Sequence, residues 1–496
     1  MMNHLLSVLL LGTLPLSLLA QSTTPEAVAQ SVQRATVAQH LRFLAADELR
    51  GRDTGSPELE IAARYLAEQF RRYGLDTVPG APGYFQPVKL VSAQPPAEAT
   101  LVYEEETFQL GSDLLVLSGD SISVEAPVVY VNYGTAEDLE AVDVAGKIVV
   151  TKAGGDGVTN PQSFFYMTRE KQERVKELGG VALVELYRSN QLPWTVLVQY
   201  LNTERLTVDA DEDTTTQALP VLWLNDPQGK RLVAFEVDEA PQATLSVAKK
   251  REAVVAVKNV VGRIEGTDPQ LKNEYVVLTA HYDHIGVAAS PNPQDSIFNG
   301  ARDNALGTTA LLSAAQHLGE HPPKRSVLFV ALTAEEKGLL GSAWYVAHPL
   351  VPLAQTVFNL NTDGAGYNDT TKVTAIGLER TTAEQSITEA SQAFGLKAIQ
   401  DPVPEQNLYD RSDNVSFAQK GIPAVNFAPG TTAFDAEIMK NYHQVSDEVE
   451  TLNFSYAEKY AEAFTFSAEQ IANLSEKPFW KAGDKYEAAG KALYEE

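Results

Sequence analysis

A chain of 496 residues is longer than one hydrophobic core ordinarily serves, so at least two folded domains are expected. With 39 Lys and Arg against 65 Asp and Glu the formal net charge is -26, a field that repels phosphate backbones and argues against nucleic acid as a partner. The complete lack of cysteine excludes disulfides, thiol nucleophiles, Cys-ligated zinc and a lipid anchor on Cys, so any metal must be held by His, Asp and Glu.

The chain opens on an apolar run, Leu5 to Ala20, broken by Pro15 and followed by Gln21 and a polar stretch. The run is short for a membrane-spanning helix and reads as a signal peptide over residues 1–20, although no Lys or Arg precedes it. No later stretch is apolar and long enough to span a bilayer, so the exported chain is expected to have no membrane span.

Residues 28–78 have helical periodicity, with Val37, Leu41, Leu44 and Ala45 on one face. After a polar turn, Glu48 to Ser56, a second helix is expected from Pro57 to Tyr73, ended by Gly74. Between residues 98 and 250 short β-rich runs take over: 127–131, 147–151, 181–185 and 219–224, with one helix over 168–178. This stretch has no cluster of His and acids and reads as a small inserted domain without chemistry. From residue 255 strands and helices alternate. Strands are expected over 275–280, 326–332, 357–361 and 424–427, and helices over 304–318, 339–347 and 455–473. Near-continuous apolar strands between helices imply a mixed, mostly parallel α/β sheet covered on both faces.

Ligands of open α/β sheets bind beyond the carboxyl ends of the strands. His281 and Asp283 directly follow one strand, Glu335 and Glu336 the next, and Asp363 the third. Asp303 opens a helix after a Gly-containing loop, and His443 lies in a late loop, 441–447. Two zinc ions about 3.5–4 Å apart need a bridging carboxylate and further ligands on either side, which one Asp flanked by His and acid supplies. A carboxylate free of metal is still required as general base, and in Glu335-Glu336 the two neighbours can divide the work. Asp283 can accept a hydrogen bond from the His281 ring and fix its orientation. Alone, each residue has a bland reading: Asp303 a helix cap, His443 a surface residue, Glu335-Glu336 a favourable first-turn charge. The order of all five ligands in their context is the stronger signal. His284 is given a structural role, His317, His321 and His348 are expected in solvent, and Asp447 is expected to anchor the His443 loop.

Residues 255–475 resemble the M28 metallopeptidases, the aminopeptidase Y and glutamate carboxypeptidase group. The resemblance rests on the segments 281–286, 299–304, 334–342, 361–364 and 442–443, with further likeness at 48–55 and 411–417. It implies a zinc-exopeptidase fold and two Zn²⁺ per chain. His281 and Asp363 would bind one ion, Glu336 and His443 the other, with Asp303 bridging. Glu335 would be the base, Asp283 would orient His281, and Tyr442 would donate to the oxyanion. Arg411 would lie near the substrate, or pair with a nearby acid. The resemblance also implies a cis peptide after Asp303. The related M20 group carries a long insertion before its last His, and the interval from Asp363 to His443 is too short for it. Residues 110–250 resemble a protease-associated (PA) domain, chiefly at Val144 to Val150. The implied organisation is a signal peptide 1–20, a first peptidase segment 28–105, the PA-like insert 110–250, the catalytic segment 255–475 and a tail 476–496 that is helical in composition.

The implied function is an exported di-zinc aminopeptidase acting on peptide or protein N-termini. A glutamate carboxypeptidase-like enzyme is the alternative and would need a cationic pocket. A glutaminyl cyclase, or a binding ectodomain that has lost catalysis, is the further rival, and the complete ligand set argues against the last. Side-chain preference and oligomeric state leave no mark on the sequence.

Overall fold

The computed structural model describes residues 24–158, 161–189, 192–208, 218–231, 241–288 and 295–495. The signal-peptide expectation lies outside them. The chain divides into two compact units, one built from the residues up to Pro87 and from Lys258 onward, the other from Val88–Val257. No helix among the described residues is long and apolar enough to cross a membrane.

The first unit is organised on a sheet of β1 (Arg251–Ile264, through its last residues), β2 (Tyr275–His281), β3 (Ser326–Leu332), β4 (Thr356–Asn361), β5 (Lys372–Ile376), β6 (Lys397–Ile399) and β7 (Ala424–Pro429), in the order β6-β5-β7-β4-β2-β3-β1. Strands β3, β2, β4 and β7 are mutually parallel, whereas β1 and β5 pair antiparallel with β3 and β7. Every residue of β2, β3, β4 and β7 is buried, as unbroken apolar runs require when helices cover both faces. Helices Leu306–Glu320 and Phe454–Asn473 pack together over one face. On the other, Tyr345 of helix Leu340–Ala347 and Phe417 of helix Asn414–Gln419 join Val277, Leu328 and Val330 in one cluster. Each such side chain contributes about 1.5–3 kcal/mol on burial.

The C-terminal tail belongs to this unit. Trp480 is buried and donates its indole N–H to the Gly421 carbonyl at 2.9 Å, and a short helix, Glu487–Tyr494, follows. His317, expected in solvent, is fully buried between Ser31 and Glu469 because its helix is enclosed almost throughout. His321 and His348 are exposed.

The second unit has an eight-stranded sheet. Four of its strands, Ile122–Tyr130, Ile148–Lys152, Ala182–Tyr187 and Val221–Asn225, run parallel in that order. The helix between the second and third of these spans Pro161–Glu177, earlier than the periodicity suggests because Pro161 suits a first helical position. A buried ion pair fastens this helix to the sheet. Lys171 Nζ donates to Glu185 Oε1 at 2.7 Å, and the other Glu185 oxygen accepts from Trp223 Nε1 at 2.9 Å and from the Thr168 hydroxyl. Removing one partner of such a pair strands a buried charge. Glu185→Ala should therefore destabilise this unit by about 3–5 kcal/mol, read as a lower denaturant midpoint for its transition.

Candidate metal centre

Strand register brings the ligands level. His281, the last residue of β2, pairs with Leu332, the last of β3, and Thr279 of β2 pairs with Asn361, the last of β4. Glu335-Glu336 and Asp363 then emerge within a few residues of the same edge. Asp303 reaches it from the loop before helix Leu306–Glu320, and His443 from the loop after Met439. Asp303 does not itself open the helix as expected: regular helix begins at Leu306, and the Asp303-Asn304 peptide is cis.

Asp303 stands between two groups. Its Oδ1 is 3.3 Å from His281 Nε2, and its Oδ2 is 3.2 Å from His443 Nε2. His281 Nε2 also meets Asp363 Oδ1 at 3.1 Å, and His443 Nε2 meets Glu336 Oε2 at 3.3 Å. Candidate ligand atoms converge within 4.8 Å in two sets, His281 with Glu335 and Asp363, and His284 with Asp303 and Glu336. The donors are all nitrogen and oxygen, as a zinc site without cysteine requires. Among the described residues no Lys or Arg forms an ion pair with any of these four carboxylates, and the partners they have are imidazoles. The set fits divalent cations.

The electrostatics carry the same signature. Burial would raise Asp303, but hydrogen bonds from His281 and His443 hold it well below the usual carboxylate range. Burial depresses His281 and His443, yet the carboxylates around them prevail, and His443 is pushed up to about 10. Glu335 differs: burial pushes it well above the usual range, and Asp363, Asp413 and Glu336 add to the effect while His281 opposes it. Of the two adjacent acids, Glu335 is the one whose surroundings favour holding a proton.

Supporting residues fix this geometry. Asp283 does not orient His281 through its carboxylate, whose Oδ1 lies 3.9 Å from His281 Nδ1. The Asp283 main-chain carbonyl accepts from that ring at 3.1 Å. The carboxylate instead accepts from the backbone N–H groups of Glu335 at 3.1 Å and Glu336 at 3.3 Å, aiming both acids from the turn after β3. His284 is buried and places Nδ1 2.7 Å from Glu336 Oε1, so a structural histidine turns the ligand's other oxygen toward His443. Asp447 does more than anchor its own loop: it accepts from the backbone N–H of Arg302 at 2.9 Å and of Asp303 at 3.3 Å, tying the His443 loop to the Asp303 loop.

Sequence reasoning missed two supports. Buried Ser412 donates to Asp363 Oδ2 and accepts from Asn361 Nδ2 at 2.8 Å, which continues a polar chain from β4. Arg52 is fully buried and donates to the carbonyls of Tyr282 at 2.8 Å, Asn299 at 2.7 Å and Gly300 at 3.2 Å. Beside it Gly51 (φ 69°) presses so closely on the Gly286 and Phe298 carbonyls that a Cβ would lie about 2.4–2.5 Å from them. The Arg-Gly-Arg turn at 50–52 was the visible signal for this clamp.

A cavity opens over the ligands, lined in addition by Ile376, Leu408, Ala428, Phe434, Tyr442 and Arg411. The Tyr442 ring lies 4.2 Å from that of His443, and its hydroxyl is 3.4 Å from Arg411 Nη2. Arg411 is exposed and has no acid partner among the described residues.

A mostly parallel α/β sheet with carboxylates and imidazoles converging at its strand ends, beside a confined cavity, defines a metallohydrolase. Residues 259–467 match the sequence model of Peptidase family M28, and that segment is of the zinc metallopeptidase type. It is 25% identical over 495 residues to Aminopeptidase YwaD of Bacillus subtilis (strain 168), covering 95% of this chain and 94% of the other. A probable zinc metalloprotease of Pyrenophora teres f. teres is 32% identical over 121 residues, 24% of this chain and 23% of that protein. The solved aminopeptidase from Aneurinibacillus sp. strain AM-1 shares the fold, with a TM-score of 0.58, 20% identity, and coverage of 92% of this chain and 97% of that one.

Asp283→Ala should leave the Glu335 and Glu336 N–H groups unpaired and let both acids drift. Metal affinity, read by competition with a chelator, should fall about 10–100-fold. Unchanged affinity would remove Asp283 from the support of the site.

Proposed function

We propose that this chain is an exported M28 aminopeptidase working with two zinc ions. The observation that carries the two-ion reading is the Asp303 carboxylate, which turns one oxygen toward His281 and the other toward His443. His281 and Asp363 would hold one ion, Glu336 and His443 the other, and Asp303 both. When bound, the ions supply a polarising charge for the scissile carbonyl and lower the proton affinity of water. Glu335, without a place among those ligands, accepts a proton from the attacking water on its carboxylate and returns it to the leaving amine. Its raised proton affinity suits both transfers. The Tyr442 hydroxyl, at the cavity wall beside His443, donates to the carbonyl oxygen as negative charge develops there.

Two features favour the N-terminal end of the peptide. The cavity is rich in carboxylates that attract a free amine, and Arg411 is the one Lys or Arg among its lining residues. A terminal carboxylate would need a cationic cluster that this lining does not supply. The aminopeptidase relatives are consistent with the same choice. The PA-like reading of the inserted unit rests on the segment Val144 to Val150, which leads into one of its central strands.

Glu335→Gln should lower kcat on aminoacyl chromogenic amides about 10²–10⁴-fold while the protein still retains two zinc per chain by elemental analysis. Metal removal by a chelator should abolish activity, and zinc should restore it. Cleavage of N-acylated dipeptides in place of the amides would overturn the aminopeptidase assignment, and one zinc per active chain the two-ion assignment.

Export rests on the apolar run Leu5 to Ala20. The mature protein, recovered outside the cytoplasm of its native host, should begin near Gln21 by N-terminal sequencing. An active chain kept in the cytoplasm with Met1 intact would refute this.

A further inference from the structure

The second unit contains a cavity of its own, about 520 Å³, lined by Tyr133, Lys152, Gly155, Phe164, Leu186 and Arg188 with a few small neighbours. Its position follows from the topology of that unit. The strands Ile122–Tyr130, Ile148–Lys152, Ala182–Tyr187 and Val221–Asn225 are parallel, and the lining comes from the carboxyl end of each. Tyr133 follows the first strand, Lys152 ends the second, Arg188 follows the third and Pro227 the fourth. This is the edge at which open α/β sheets bind ligands.

The chemistry of the lining is one-sided. Among the described residues its charged lining members are Lys152 and Arg188, and none of that lining is an acid. Among the described residues neither makes an ion pair. Lys152 Nζ donates to Asn132 Oδ1 at 3.1 Å and lies 5.1 Å from the centre of the Tyr133 ring, while Arg188 is exposed. In a chain of net charge -26, a cavity whose described lining holds two cations and no acid stands out. The rim is also built firmly. Buried Lys171 donates to the main-chain carbonyls of Lys152 at 2.8 Å and Gly154 at 2.9 Å while paired with Glu185, so the ion pair that fastens the helix also sets the loop. At Gly154 (φ 76°) a Cβ would strike the Phe164 ring, so glycine lets the loop close onto that aromatic wall.

We propose that this cavity binds a small organic anion. A carboxylate or phosphate group sits between the Lys152 ammonium and the Arg188 guanidinium, whose planar fork matches such oxyanions. An apolar or aromatic body lies against Phe164 and Tyr133. A large polyanion is disfavoured by the overall negative field. The cavity shares no lining residue with the metal centre and does not depend on the aminopeptidase reading.

The test is calorimetric titration of the intact, metal-replete protein with N-acetylphenylalanine and, separately, with inorganic phosphate. Wild type is compared with Lys152→Gln/Arg188→Gln and with Arg188→Glu. An anion held at the metal centre titrates equally in all three, so the difference between them isolates the second site. A binding event in wild type that either variant weakens at least tenfold supports the proposal. Its appearance with N-acetylphenylalanine assigns a carboxylate ligand, and with phosphate alone a phosphate ligand. Because Arg188 is exposed, Arg188→Glu keeps the fold, checked by circular dichroism, should the double variant fail. Superimposable isotherms for wild type and a folded variant with both probes overturn the proposal.

Discussion

The catalytic unit is governed by one problem: keeping four carboxylates together in a largely buried space. Asp303, Glu335, Glu336 and Asp363 converge where two like charges 4 Å apart repel by about 4 kcal/mol even at an effective dielectric of 20. Left to themselves they would disperse or take up protons. Imidazoles meet Asp303 from both sides, and the buried guanidinium of Arg52 is committed to main-chain carbonyls. The repulsion that would destabilise the empty arrangement is what gives it affinity for divalent cations. Stability and function are coupled here through charge.

The scaffold holds the acids against that repulsion by tying down their backbones or one carboxylate oxygen. Asp283 grips the Glu335-Glu336 turn, Asp447 grips the Asp303 loop, and Ser412 holds Asp363. Arg52 draws the N-terminal turn onto the loops at Tyr282 and Asn299. None of these four needs to touch a substrate. Each fixes an acid, or a loop next to one, and leaves at least one carboxylate oxygen to face the centre, the usual logic by which outer residues tune a metal site.

The candidate ligands were legible in the sequence because they sit where pattern and topology coincide. An unbroken apolar run ending in His281, or one followed at once by Glu335-Glu336, announces a strand and its functional end together. The supports were not legible in the same way. Asp283 reads naturally as a partner of the histidine two residues before it, since alternation along a strand puts both on one side. The chain turns after His281, however, and the carboxylate meets backbone donors some fifty positions away. His317 fails for a related reason: its helix is enclosed by others, and no local period reports that all its faces are covered. Long-range hydrogen bonds leave no periodic trace, so residues that act through them are read last.

The same rule of topology acts twice in this chain, with opposite charge. In the first unit the carboxyl ends of parallel strands carry acids and histidines, and the cavity there calls for cations. In the second unit they carry Lys152 and Arg188, and the cavity calls for an anion. The second edge is not legible in the sequence because Lys and Arg are ordinary surface residues, and nothing in their spacing singles them out. Four parallel strands bring their ends to one edge, and only then do the two cations face a common space with no acid among its described lining residues. The inserted unit read as lacking chemistry because its chemistry lies in the order of its strands, which the strand sequences taken one at a time do not state.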